Sequence, residues 1–439
     1  MTPPTPAGGT ASQTIAHSGN SPGQIPGNPP GDLPVHSAPP RHLVWALGLT
    51  EVLSWGTLFF CFTVFLGPMG RDLGYSRPFL TGGFSLGLLV WALCSFQVGR
   101  LLDRVPARHV MGIGSLLAAA GLLLWAWTPS PAVFLLMWIP LGLAMASTLY
   151  DPAFVVLRQA YGDGYQKPIL NLTLIAGFSS TVFVPLGQWL AVHLGWRPTL
   201  VAFAALNLLV CAPLHFRLRY ALHPTYASVQ PAAPLAGAAS PGIARLTLRQ
   251  PVFWAVALAF TAVSTIASLL GAHLIPMLTE KGLPLGEQLA VAALIGPAQV
   301  VGRMMMMRIP VRHPVSLALP VYAVMSLGLA AFALGQGAWL MAAAVIFGCA
   351  NGVNTMLRAM AMPELISRQH YATLNGLMMT PVLLMQAAAP FLGALLWRAA
   401  GGYWLMLWTM AGLAVAAFVA FAFALHRRGL LGSAPATAA

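Results

Sequence analysis

Residues 79–128 read FLTGGFSLGLLVWALCSFQV, then GRLLDRVPAR, then HVMGIGSLLAAAGLLLWAWT. Two apolar runs without an acidic residue, lysine or arginine flank a decapeptide holding three arginines and one aspartate. Each run, wound as a helix rising about 1.5 Å per residue, matches the roughly 30 Å hydrocarbon thickness of a bilayer. The decapeptide reads as a basic loop on the cytoplasmic side, where Lys and Arg accumulate.

The same alternation extends in both directions. Apolar segments of spanning length are predicted at 43–67, 79–98, 110–128, 132–157, 169–193 and 198–216, and again at 252–278, 288–307, 316–335, 338–360, 374–396 and 403–425. Residues 1–40 are rich in Pro, Gly, Ser and Thr and are expected to be a disordered cytoplasmic tail, since they hold too little apolar surface to offset ordering entropy. Residues 217–251, with five prolines and four arginines, read as a cytoplasmic linker between bundles spanning 41–216 and 252–428; 429–439 form a second tail. The fold class is therefore an all-α membrane protein of twelve transmembrane helices in two pseudo-symmetric six-helix bundles.

Composition agrees. The chain is 58% hydrophobic and 7% charged, with mean hydropathy +0.76, too few charges to coat a water-facing globule of this size. The net charge of +13 does not imply nucleic acid, because the basic residues sit singly or in small groups between apolar runs, with no basic stripe interleaved with aromatics. With the N-terminus inside, the inner segments carry 15 Lys and Arg and the outer loops 5, which orients both termini to the cytoplasm. No cleavable signal peptide is expected, and the first apolar run is expected to direct insertion into a bacterial-type inner membrane. Cys61, Cys94, Cys211 and Cys349 lie in four different apolar runs with no CxxC pair, so neither a disulfide framework nor a metal site is implied. There is no phosphate-cradling GxxxxGK[ST] loop, no nucleophile–base motif and no ligand-spaced His/Cys cluster, so no cofactor and no enzyme activity are expected.

The two halves repeat at an offset of 208: Pro68-Met69 recurs as Pro276-Met277, Gly74 as Gly282, Arg104 as Arg312 and Pro106 as Pro314. Internal repeats of this kind are a recurrent way to build a transporter with its solute site at the repeat interface.

The decapeptide resembles the Gly-x-x-x-Asp-Arg-x-Gly-Arg-Arg loop of the major facilitator superfamily, matching at Gly99, Asp103, Arg104 and Arg108, with Pro106 and Ala107 replacing the usual Gly and Arg. The resemblance implies that these four residues form a cytoplasmic gate holding the halves together in the outward-facing state through a breakable charge network. The second-half counterpart is degenerate, with Met307 and Val311 where Gly99 and Asp103 stand. Gly302-Arg303 in the eighth span resembles the monocarboxylate porter and oxalate/formate exchanger branch, where an arginine there meets the substrate carboxylate. Val184-Pro185-Leu186-Gly187 lacks the Gly-Pro-x-x-Gly-Gly pattern of many drug–proton antiporters.

Charged groups inside spans are costly and so mark candidate sites. Arg303 is a candidate carboxylate fork; the competing reading is an arginine that snorkels or is held by backbone carbonyls. Asn351, Asn354, Thr355 and Arg358 share a helix face, either lining the cavity or bonding between helices. Asp151 lies opposite Arg358 across the pseudo-symmetry axis and is expected to pair with it when the inner side closes, with Tyr150 nearby. Glu51, one turn before Trp55, is the first candidate for proton coupling, Asp151 the second, and pairing with a neighbouring basic group is the alternative for Glu51. Trp55 and Tyr150 are candidate stacking surfaces for a solute. The run Met304–Met307 is read as packing and His273 as an interfacial histidine.

The expected function is secondary transport of a small-molecule substrate, with a small organic anion such as a monocarboxylate first. Alternatives are proton-driven efflux of a drug-like compound or toxic oxyanion, and uptake of a vitamin-like aromatic nutrient. The expected partners are the lipid bilayer and, as coupling ion, protons; the functional unit is expected to be a monomer.

Overall fold

The structure is a computed structural model describing residues 42–220, 222, 241–309, 313–367 and 370–430. The expected N-terminal tail, most of the linker, Arg312 and residues 431–439 lie outside the described residues. Twelve helices are long and apolar enough to span a membrane. The first six are α1 His42–Leu73, α2 Pro78–Leu102, α3 Ala107–Trp127, α4 Pro131–Tyr161, α5 Gln166–His193 and α6 Trp196–Phe216. The second six are α7 Pro251–Glu280, α8 Leu285–Met306, α9 Pro314–Leu334, α10 Ala338–Ile366, α11 Tyr371–Ala400 and α12 Trp404–Arg427. All twelve expected spans are present and most run a few residues longer.

Local chemistry explains the boundaries. Ser76 and Ser130 cap α2 and α4 through Phe79 N and Val133 N, each with a proline in the first turn. Gly74 and Gly282, the repeat pair, both turn the chain at positive φ, 67° and 79°, where a side chain would be strained. Side chains pack tightly inside: Phe65, Trp125, Phe134 and Trp138 are fully buried in the first half, and Phe253, Tyr322, Phe332 and Phe421 in the second. Large apolar side chains such as Leu93, Ile113, Val192, Leu327, Phe391 and Val419 face outward, as a lipid solvent permits.

Within the first six helices, α3 packs on α4 and α6, and α1 on α5; within the second, α8 packs on α10, α7 on α11 and α12, and α9 on α12. The halves meet through α2 against α11 and through α5 against α8 and α10. These contacts gather toward the end carrying residues 99–108, here called the basic end, whereas α1 and α7 pack within their own halves.

Helices α1, α4, α5, α6 and α10 depart from regular α-helical geometry along their length. Helix α4 breaks at Leu149, an extended residue between Thr148 and Tyr150. Helix α5 breaks at Gly177-Phe178. Helix α1 widens into a π-turn at Trp55–Phe60, facing another in α6 at Asn207–Cys211; Asn207 Nδ2 donates to Thr57 Oγ1 at 2.9 Å between them. Such irregular turns re-aim side chains and concentrate at functional sites.

Candidate functional site

The break at Leu149 starts a new helical segment with Tyr150 and Asp151 in its first turn, where unpaired N–H groups favour a carboxylate. Asp151 Oδ1 accepts from Asn375 Nδ2 of α11 at 3.0 Å and lies 3.7 Å from Arg358 Nη2 of α10. The expected Asp151–Arg358 pair is therefore present, and it joins the halves. Arg358 is not fully satisfied by it, because its buried Nε makes no hydrogen bond.

Arg303 is 4% exposed. Its Nη1 donates to the Thr173 carbonyl of α5 at 2.7 Å and its Nε to the Gly352 carbonyl of α10 at 3.3 Å. Among the described residues no carboxylate lies within ion-pair distance of it. The guanidinium fits because residue 177, at the α5 break, is glycine: a Cβ there would sit 2.7 Å from Nη1. Backbone carbonyls thus hold this arginine, and the bond to Thr173 crosses between the halves.

Tyr150 lies in the combined field of Arg303, Arg358 and Glu51. Its ring packs on Trp55 at 5.1 Å and stacks on Phe154 at 5.4 Å; Trp55 in turn meets Phe59 at 5.2 Å and Trp91 at 6.0 Å. Glu51 is fully buried and neither of its oxygens accepts a hydrogen bond; the Trp55 indole lies beside it without reaching hydrogen-bond geometry. The candidates Glu51, Trp55, Tyr150, Asp151, Arg303 and Arg358 therefore fall in one neighbourhood, aromatic on the first half and cationic on the second.

The polar stripe of α10 divides. Asn354 accepts from the buried Tyr322 hydroxyl of α9 at 3.0 Å, so it bonds between helices. Asn351, Thr355 and Arg358 remain partly exposed.

At the basic end, Asp103 Oδ2 accepts from Thr373 N at 2.8 Å. Helix α11 begins after His370, whose positive φ of 51° and uncapped start leave the first-turn donors free, and the carboxylate of the other half caps them. Burial pushes the Asp103 carboxyl up, and the Thr373 hydrogen bond offsets part of this. A Cβ at Gly99 would overlap the Ala372 carbonyl, and one at Gly376 the Ser95 carbonyl, so the two glycines let α2 and α11 touch backbone to backbone. The expected carboxylate–guanidinium network is corrected here: among the described residues Arg104 and Arg108 make no ion pair, because Asp103 is spent on a helix terminus.

Sequence reading offered backbone carbonyls as one way to hold Arg303, and those of Thr173 and Gly352 do so. It missed the Asn375–Asp151 bond and two matched ties at the opposite end. Asp72 bonds Trp196 Nε1 and Arg197, while Glu280 accepts from Trp397 Nε1 at 2.9 Å and Tyr403 N at 2.8 Å. Asp72 and Glu280 stand at the same 208 offset as the other repeat pairs, a signal that was available.

The family model described as Major Facilitator Superfamily matches residues 47–390. Among curated proteins, a Thermoproteus tenax "Uncharacterized 38 kDa protein in 23S RNA operon" is 29% identical over 183 residues, 42% of this chain and 48% of that protein. Mouse Monocarboxylate transporter 4 is 29% identical over 184 residues, 36% of this chain and 37% of the transporter. The chain thus spans about half the length of the first relative and little more than a third of the second. Among solved structures, the E. coli fucose:proton symporter FucP superposes with TM-score 0.69 at 16% identity, covering 87% of this chain and 98% of that one. FucP in an outward conformation superposes with TM-score 0.68 at 15% identity, over the same shares. At such identities the likeness is one of fold alone; the matched family is one of transporters, not enzymes. With its family model matched across most of its length and twelve spanning helices in place, the chain belongs to the major facilitator superfamily.

Proposed function

We propose that this protein carries a small organic anion of the monocarboxylate class by alternating access, driven by the proton gradient. The observation that carries the reading is Arg303: a guanidinium buried where the halves meet, held by two carbonyls and without a carboxylate among the described residues. Carbonyl dipoles only partly compensate a desolvated cation, so a ligand carboxylate offering two acceptors in a fork is the favoured partner. Arg358, with its free buried Nε, adds a second positive group, and the Trp55–Tyr150 surface supplies an apolar wall for the body of the anion. The partial likeness to a monocarboxylate transporter supports the same class.

In this reading the structure is closed at the basic end and faces outward. A carboxylate entering from the opposite end takes Arg303 from Thr173, which releases α5 from α8 and lets the halves part. Glu51 then serves as proton carrier: its carboxyl is buried and neither oxygen makes a hydrogen bond, so it is open to exchange a proton with water or substrate that reaches it. The basic end is read as cytoplasmic, with both termini there and a monomer as the working unit. The aromatic wall favours an aromatic-bodied substrate such as a vitamin-like acid as the second reading.

The test is radiolabelled uptake of a carboxylate panel into proteoliposomes, with and without an inward proton gradient. Saturable, gradient-stimulated uptake lost in Arg303→Ala supports the proposal. Absence of carboxylate flux in folded protein overturns it.

A further inference from the structure

On the basic face of the first half, a cavity of about 520 Å³ opens between the 99–108 loop and the segment following α6. Its walls carry three guanidinium groups, Arg104 and Arg108 on the loop and Arg219 opposite, with Asp103 the single acidic residue lining it. The segment after α6 is fixed across the end of α4 by Tyr220 Oη donating to Gln159 Oε1 at 2.5 Å, so Arg219 is held at a built wall.

These arginines stand without an acidic partner among the described residues. Arg104 and Arg219 make no ion pair or side-chain hydrogen bond among the described residues, and Arg108 uses only its Nε, toward His109 Nε2 at 3.2 Å. Asp103 is already committed to Thr373 N. A recess lined by three arginines without ion pairs among the described residues suits an oxyanion with several acceptor oxygens, and phosphate offers these to guanidinium forks.

We propose that this recess is a binding site for a phosphate group, presented either by the headgroup of an anionic phospholipid or by a free phosphomonoester. The ligand brings negative charge to a recess lined by three arginines, whose one acidic lining residue, Asp103, is committed to Thr373 N. A phospholipid bound there would tie the 99–108 loop, which caps α11 through Asp103, to the composition of the membrane.

Native mass spectrometry of the purified full-length chain tests this, with phosphatidylglycerol or phosphatidylcholine titrated in one arm and glycerol 3-phosphate in the other. The variants are Arg219→Gln, Arg108→Gln and, as a control on an exposed arginine outside the recess, Arg249→Gln. Arg219 is exposed and makes no side-chain contact that the fold needs, and Arg219→Lys keeps the charge as a check on local damage.

The expected result is binding about tenfold weaker in Arg219→Gln and Arg108→Gln, unchanged in Arg249→Gln, and partly kept in Arg219→Lys. If phosphatidylglycerol shows this pattern and outbinds phosphatidylcholine, the source is lipid. If only glycerol 3-phosphate shows it, the source is soluble. If neither ligand distinguishes the wild type from Arg219→Gln, the site does not exist.

Discussion

Arg303 Nη1 donates to the Thr173 carbonyl at 2.7 Å, and through that bond α8 of the second half holds α5 of the first. The acceptor is not free, since Thr173 O also receives the Gly177 N–H at 3.0 Å, so the bond is one a stronger acceptor could displace. An ionised carboxylate is such an acceptor.

Gly177→Ala isolates this bond. Its new Cβ would occupy the place of Nη1 at 2.7 Å, and the guanidinium, at the end of a flexible side chain, can move away without unfolding the helix. Freed from its carbonyl competitor, Arg303 is expected to bind carboxylate about tenfold more tightly. Turnover is expected to fall, because the closed state at the basic end is weakened. Equilibrium binding and flux on the same preparation check both halves of this expectation.

The Asp151–Arg358 pair predicts a charge-swap rescue. Asp151→Arg alone is expected to lower flux about tenfold or more, since it also discards the Asn375 bond and sets two cations together. Combining it with Arg358→Asp is expected to restore saturable flux. A double variant no better than the single one would mean that the pair does not act as a unit.

Glu51→Gln preserves shape and removes the exchangeable proton. Counterflow of carboxylate between equilibrated compartments is expected to continue, while accumulation under a proton gradient is expected to fall to equal concentrations on both sides. Continued accumulation would remove Glu51 from the coupling step and leave Asp151 as the next candidate.

The gate carboxylate gives a pH dependence. Burial against α11 raises the Asp103 carboxyl in the closed form, whereas in the open form water returns it toward the ordinary value of about 4. The closed form therefore takes up a proton at higher pH than the open form. Lowering pH through the interval between the two values is expected to favour closure. Spin-label distances between Leu101→Cys and Arg427→Cys, both at exposed positions, are expected to shift toward the closed value on acidification and to lose that response in Asp103→Asn.

Twelve spans were legible in the sequence because a spanning helix is declared by the length of one apolar run, a local property. The Asp151–Arg358 pair was legible because pseudo-symmetry aligns α4 with α10. Arg303 was legible as a buried charge, but not its partners: Thr173 and Gly352 contribute backbone carbonyls, and a carbonyl leaves no mark in side-chain identity. The break at Leu149 was missed although Pro152 marks it: proline has no N–H to give the Thr148 carbonyl and its ring crowds that carbonyl, so Tyr150 starts a new helical segment. Asn354 was left open between the cavity and a neighbouring helix: helical spacing gave its face, but whether that face meets α9 depends on rotation, which Tyr322 reveals. The arginines of the 99–108 loop matched a familiar pattern, yet Asp103 had a better partner in the start of α11 than in Arg104 beside it.

The central claim is that Arg303 exchanges Thr173 for a substrate carboxylate and that this exchange opens the basic end. The direct measurement is the spin-label distance between Lys167→Cys at the start of α5 and Arg308→Cys after α8, in protein lacking Cys61, Cys94, Cys211 and Cys349, with and without the transported carboxylate. The account expects a short distance without carboxylate, a longer population on adding it, and no response to it in Arg303→Gln. An equal response to carboxylate in the wild type and Arg303→Gln would contradict the account, as would no response in either.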